Sequence, residues 1–234
     1  MLVLAASILF ASTVSAFVGL GLTFWGSLIF FIRPSKYVKS DLMNATAISS
    51  LRTIDKMLMG LGYGEKGVYL QAGDTGRAVV FVPAEPFSMI PELSGSEDFL
   101  VSKPEGLVVP PPGLALAALI ENKLGFKVKN CGLETLVECL PKVLVEDLGI
   151  VKDVEIEITG DTVRFKLYDS IYADFCSEVR DTSRRCGLGC PMCSALACIL
   201  TTATGKPVLY DEDTTSEDNR VTESVYTLIK GRRL

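Results

Sequence analysis

Five of the seven cysteines, Cys176, Cys186, Cys190, Cys193 and Cys198, fall within 23 residues, while Cys131 and Cys139 stand apart. In a reducing compartment such density points to metal binding or thiol chemistry rather than to disulfides. Cys176, Cys186, Cys190 and Cys193 make a set of four thiolates of the kind that holds zinc or an iron–sulfur cluster. Cys198 fits that set less well, because five residues along a helix turn it about 140° away from Cys193. A second reading is a thiol pair. Cys190-Pro-Met-Cys193 stands where a helix begins, and the positive end of the helix dipole lowers a thiol pKa and favours attack by Cys190. A third treats these thiols as small buried hydrophobes, a common role for cysteine. The spacing of Cys186, Cys190 and Cys193 also matches the cluster motif of radical-SAM enzymes. Only 41 residues follow Cys193, however, and that fold builds its barrel after the motif.

The inventory around the cysteines removes other chemistry. The 234 residues include no histidine, so Ser-His-Asp triads, Cys-His pairs and HExxH zinc sites are excluded. Glu121, Asp147 and Asp174 are acidic positions in mostly apolar neighbourhoods, and no acid/base pair converges among them. The 23 Lys+Arg against 28 Asp+Glu give a formal net charge of −5, the opposite of the basic footprint of a nucleic-acid binder.

The elements that must carry the cysteines are predicted in the second half of the chain. Val154–Ile158 and Val163–Leu167 alternate apolar and charged residues about Gly160-Asp161, the pattern of a hairpin with one buried face. Helices are expected near 171–180 and 194–202, strands near 207–210 and 221–229, and a solvated acidic loop over 211–218. Upstream, Gly113–Leu124 reads as a buried helix, followed by two short helices jointed at Pro141. Seven prolines break the stretch from Pro83 to Pro112, leaving room for a short strand at Leu107–Val109. Arg77–Val82 and Val68–Leu70 read as strands. Gly62, Gly64 and Gly67 formally satisfy GxGxxG, but the motif follows a helix and opens a strand, the reverse of a dinucleotide site. It reads as a helix stop and turn. The helix it ends runs from Ser40, with Ala47, Leu51, Ile54, Leu58 and Leu61 along one face.

Residues 1–32 carry no charged side chain, a run longer than the roughly 20 residues that cross a bilayer core. A spanning helix over Leu4–Ile32 is expected. Arg33, Lys36 and Lys39 follow at once, so the positive-inside rule places the remainder in the cytoplasm of a single-pass cell-membrane protein. Ala11, Ser15, Gly19, Thr23 and Ser27 recur every four residues, a stripe through which two copies of the helix could associate. The expected organisation is therefore a transmembrane helix (1–32), a juxtamembrane helix with short strands and a proline-rich connector (33–112), and a module with the cysteine cluster (113–234). The expected fold is α+β, with cytoplasmic helices packed on antiparallel hairpins.

Across residues 113–229 the order helix, helix, hairpin, helix, helix, hairpin, with GDTVRFKLYDS leading through FCSE to GCPMCSALACILTTATGKPV, resembles the vinyl-reductase-like ligand-binding domains related to subunits of the TRAPP tethering complex. The resemblance implies an α+β module, often dimeric, that encloses a small apolar ligand without turning it over. Zinc-binding members carry cysteines near the last hairpin, whereas residues 199–234 here contain none, so no ligand residues are carried over. The whole chain also resembles uncharacterised archaeal membrane proteins. The reading is a membrane-anchored, non-catalytic module for a small apolar ligand or a protein partner; the alternative is a metal-binding or thiol-redox protein built on the 176–193 cysteines.

Overall fold

The computed structural model describes residues 13–31, 40–73, 76–86, 89–91, 93, 99–129, 131–182 and 187–231. The chain divides into two compact units, Met1–Met43 and Asn44–Leu234. In the first, the uncharged run forms helix α1 (Thr13–Phe31). The expectation of a spanning helix is corrected here: among the described residues no helix is long and apolar enough to cross a membrane. The described part of the run, α1, has 19 residues. Small and hydroxyl residues dilute the run, and the Thr23 hydroxyl donates back to the Gly19 carbonyl at 2.7 Å. Arg33, Lys36 and Lys39 lie outside the described residues.

Helix α2 (Ser40–Gly60) leads into the second unit, where its Ile48, Leu51 and Leu58 are buried. Ile54 and Leu61, expected on the same face, are exposed. The strands follow as two hairpins, β1 (Val68–Ala72) with β2 (Arg77–Pro83) and β3 (Leu100–Ser102) with β4 (Glu105–Val109). Then come α3 (Leu114–Leu124) and α4 (Leu133–Lys142), which carries Pro141 inside it and runs on into a π-helical turn, Val143–Asp147. Hairpin β5 (Asp153–Thr159) and β6 (Thr162–Tyr168) has the predicted turn at 160–161. Helices α5 (Ala173–Thr182) and α6 (Pro191–Thr204) precede the last hairpin, β7 (Val208–Thr215) and β8 (Val221–Leu228). The acidic segment expected as a loop mostly belongs to β7, because Glu212–Thr215 extend the ladder against Val225–Thr222 beyond a bulge at Asp211.

Among the described residues eight strands form one antiparallel sheet in the order β3-β4-β2-β1-β7-β8-β6-β5. It consists of two four-stranded halves with the same internal order. In each, the second strands of two hairpins pair, β2 with β4 and β6 with β8. The halves join where β1 meets β7 through two residue pairs, Val68 with Leu209 and Tyr69 with Val208. β2 is buried along its length after Arg77, which explains the unbroken apolar run of its sequence. One face of β1 and β2 meets the main core; the other, with Val68, Leu70, Val79 and Phe81, is covered by Ile90 and Leu93 of the proline-rich stretch. β6 and β8 alternate buried and half-buried residues, as strands with one wet face do. Helix α6 lies at the centre of the main core with eleven buried residues, packed against α3 and over β1, β2 and β7.

Candidate thiol centre

The cysteines are set by the start of α6. Cys190 is its N-cap in extended conformation, Pro191 takes the first helical position, and the Cys190 sulfur accepts the Cys193 backbone N–H at 3.4 Å. Proline suits that place because its missing N–H would have no partner in the first turn. Cys176, on α5, faces this turn, and its sulfur stands at disulfide-bonding distance from that of Cys190, with the Cα atoms 5.5 Å apart. The sulfurs of Cys176, Cys190 and Cys193 all lie within 4.8 Å of one another. All three residues are buried, at 2 %, 3 % and 0 % exposure. A cysteine cluster able to hold a metal ion is thus present, alongside a pair close enough to be a disulfide.

Of the four predicted ligands the structure brings together three, and the fourth, Cys186, lies outside the described residues. Cys198 is not in the cluster, as the helix geometry anticipated; its pKa is pushed up to about 12 by burial. Cys131 and Cys139 are half-buried elsewhere. Glu121 accepts the Val128 N–H at 3.2 Å, Asp174 accepts from the Asn219 side chain at 3.0 Å, and Asp147 is exposed. These three are not brought together with the thiols.

The segment before Cys190 is held by contacts that cysteine spacing does not reveal. The Gly67 N–H donates to the Gly187 carbonyl at 2.9 Å, and the Tyr69 hydroxyl donates to the Leu188 carbonyl at 2.5 Å. A Cβ on Gly67 would sit 2.6 Å from the Gly187 oxygen, and one on Gly187 would sit 2.5 Å from the Glu65 oxygen. The last glycine of the GxGxxG pattern therefore lets β1 lie against the cysteine loop. Gly189 has a left-handed φ of +69°, and a Cβ there would meet the Tyr210 ring at 3.2 Å. Either bulk or handedness would push the loop out.

Two tyrosines close the far side. The Tyr226 hydroxyl donates to the Cys193 carbonyl at 2.9 Å, and Tyr210 donates to Asp213 at 2.5 Å, with the rings 5.7 Å apart. Arg180, one turn after Cys176 on α5, donates to the same Asp213 at 3.3 Å. Burial first, then the nearby Cys193, pushes both tyrosines well above their usual range. The two tyrosines thus stay neutral beside the thiols, and the charge of Asp213 is met by Arg180. Neutral thiols or a disulfide rest there at little cost, whereas three thiolates demand a cation.

No curated protein and no solved structure matches the chain, so the likeness of residues 113–229 to vinyl-reductase-like domains gains no counterpart from them. One family model does match, over residues 1–225, which include α1, the three clustered cysteines and the first five residues of β8. The chain belongs to the family described as Domain of unknown function (DUF7982).

Proposed function

We propose that this is a metal–thiolate protein in which Cys176, Cys190 and Cys193, with Cys186 as fourth ligand, hold one zinc ion. The observation that carries the reading is the convergence of three buried sulfurs within 4.8 Å. Zinc–sulfur bonds of about 2.3 Å set tetrahedral edges of about 3.8 Å, so single-ion geometry lies within small side-chain movements. A four-iron cluster spreads its thiolates further apart, which disfavours the iron alternative. Soft donors, the Cys190 sulfur's N–H bond and the absence of histidine among the ligands all suit a closed Cys₄ site. Exposure of 0–3 % suits a structural ion rather than one that turns substrate over. The Cys176–Cys190 pair has to be reduced before either sulfur ligates. That same pair favours a second reading, in which the centre cycles between a disulfide and two thiols.

Full-length protein purified without oxygen is expected to carry one zinc per chain. Cobalt exchanged into the site should show intense thiolate charge-transfer absorption. Cys190→Ser and Cys193→Ser should each abolish both signals, and Cys198→Ser should leave them intact. A metal-free protein whose intact mass is 2 Da below the fully reduced value would overturn the zinc reading and establish the disulfide one.

A further inference from the structure

A second site lies on the other side of α6, away from the proposed metal. Between α3, α6 and the start of β2 is a half-open cleft of about 700 Å³, within the range of small-molecule sites. Its floor is small and apolar: Pro111 and Pro112, Ala115 and Ala118 on one face of α3, and Ile199 with Cys198 on α6. Burial holds the Cys198 thiol neutral, so it adds apolar surface and no charge.

Its rim is different in character. Arg77 from the start of β2 and Lys127 and Lys129 from the segment after α3 all line it. Among the described residues neither lysine is in an ion pair. The Lys129 ammonium lies over Gly76, where a Cβ would stand 3.1 Å from Nζ, which sets it beside the next residue, Arg77. Among the described residues that line the cleft the one carboxylate, Glu121, is turned to the Val128 N–H. Three cations thus gather at one apolar opening on a chain of net charge −5.

We propose that this cleft binds an anionic amphiphile, a long-chain carboxylate whose acyl body lies on the Ala115–Ala118 floor and whose headgroup meets Lys129, Lys127 and Arg77. The small side chains of α3 leave room for the chain. Removing the methylenes from water drives the chain onto this floor, and the rim selects the sign of the head.

Calorimetry on the full-length protein with dodecanoate, and separately with dodecyltrimethylammonium, each below its micelle threshold, tests this. Dodecanoate is expected to bind one per chain and at least tenfold more tightly than the cation of equal tail. Lys129→Glu, at an exposed position, should cost dodecanoate about tenfold and reverse part of the preference. Ala118→Phe, also at an exposed position, should weaken both amphiphiles by filling the floor. Zinc content and melting temperature in these variants should match those of the parent, which separates failure here from failure at the thiol centre. Equal affinity for the two amphiphiles, no binding of dodecanoate, or indifference to both substitutions would each overturn the proposal.

Discussion

Burial holds the protons of Cys198, Tyr210 and Tyr226 well past the pH at which they would leave in water. For a group whose folded pKa lies above its unfolded one, the stabilisation is full below the unfolded value and is lost as pH rises toward the folded one. The window for Cys198 opens at about 9 and closes at about 12. Urea midpoints are therefore expected to hold steady to about pH 9 and fall above it, and Cys198→Ala should flatten the decline. A midpoint that rises between pH 9 and 11 would contradict the burial assigned to these residues. At this scale the sequence was partly legible. Cysteine spacing grouped Cys176, Cys186, Cys190 and Cys193, of which the three described residues come together, and helical angle set Cys198 apart. Tyr210 and Tyr226 carried no such sign, since what makes them walls of the site is the pairing of β7 with β8, not their neighbours in the chain.

Among the elements, the contacts that set the site are made by missing side chains. Gly67 lets β1 touch the cysteine loop, and Gly113 lets α3 begin against α6. A Cβ on Gly113 would meet the Ala195 nitrogen at 2.1 Å and the Pro191 oxygen at 2.4 Å, both backbone. The Gly113 N–H donates to the buried Ser194 hydroxyl at 3.0 Å. Gly67→Ala is expected to cost about 1–3 kcal/mol, since the Gly187 carbonyl and Val80 must give way, and to loosen the thiol centre. Gly113→Ala should cost more, because only backbone is there to move. Gly60→Ala, where a Cβ meets nothing within 4 Å, is the control and should be near neutral in chemical denaturation. Element prediction succeeded where patterning is local: the β5–β6 hairpin follows from alternation about Gly160-Asp161. It fell short where a long-range partner decides. The acidic stretch 211–215 looks like a loop until β8 pairs with it, and Ile54 and Leu61 look like core until the sheet fixes which side of α2 faces inward.

For the molecule as a whole, the two sheet halves are equivalent in strand order, and nothing in the sequence announced it. The joint between them pairs Val68 and Tyr69 with residues about 140 positions away, a separation that leaves no periodic trace. The thiol centre lies close to this joint, with Gly67 and Tyr69 reaching it from one half and Tyr210 and Tyr226 from the other. The equivalence also says something about the sheet's two ends. β5 occupies in its half the place that β1 occupies in the other, and β1 is the strand that accepts β7. The outer edge of β5 is thus a repeat of a docking edge already in use. β1 reads Val-Tyr-Leu-Gln-Ala without a charge, whereas β5 carries Asp153, Glu155 and Glu157, all exposed. Charged edges are how sheets refuse further strands. Glu155→Thr with Glu157→Thr is expected to yield larger species by light scattering at unchanged secondary structure; a double variant with the parent's mass distribution would show that the carboxylates play no such part. A strand order that repeats without closing is a template with a free end, and at that end stand the carboxylates of β5.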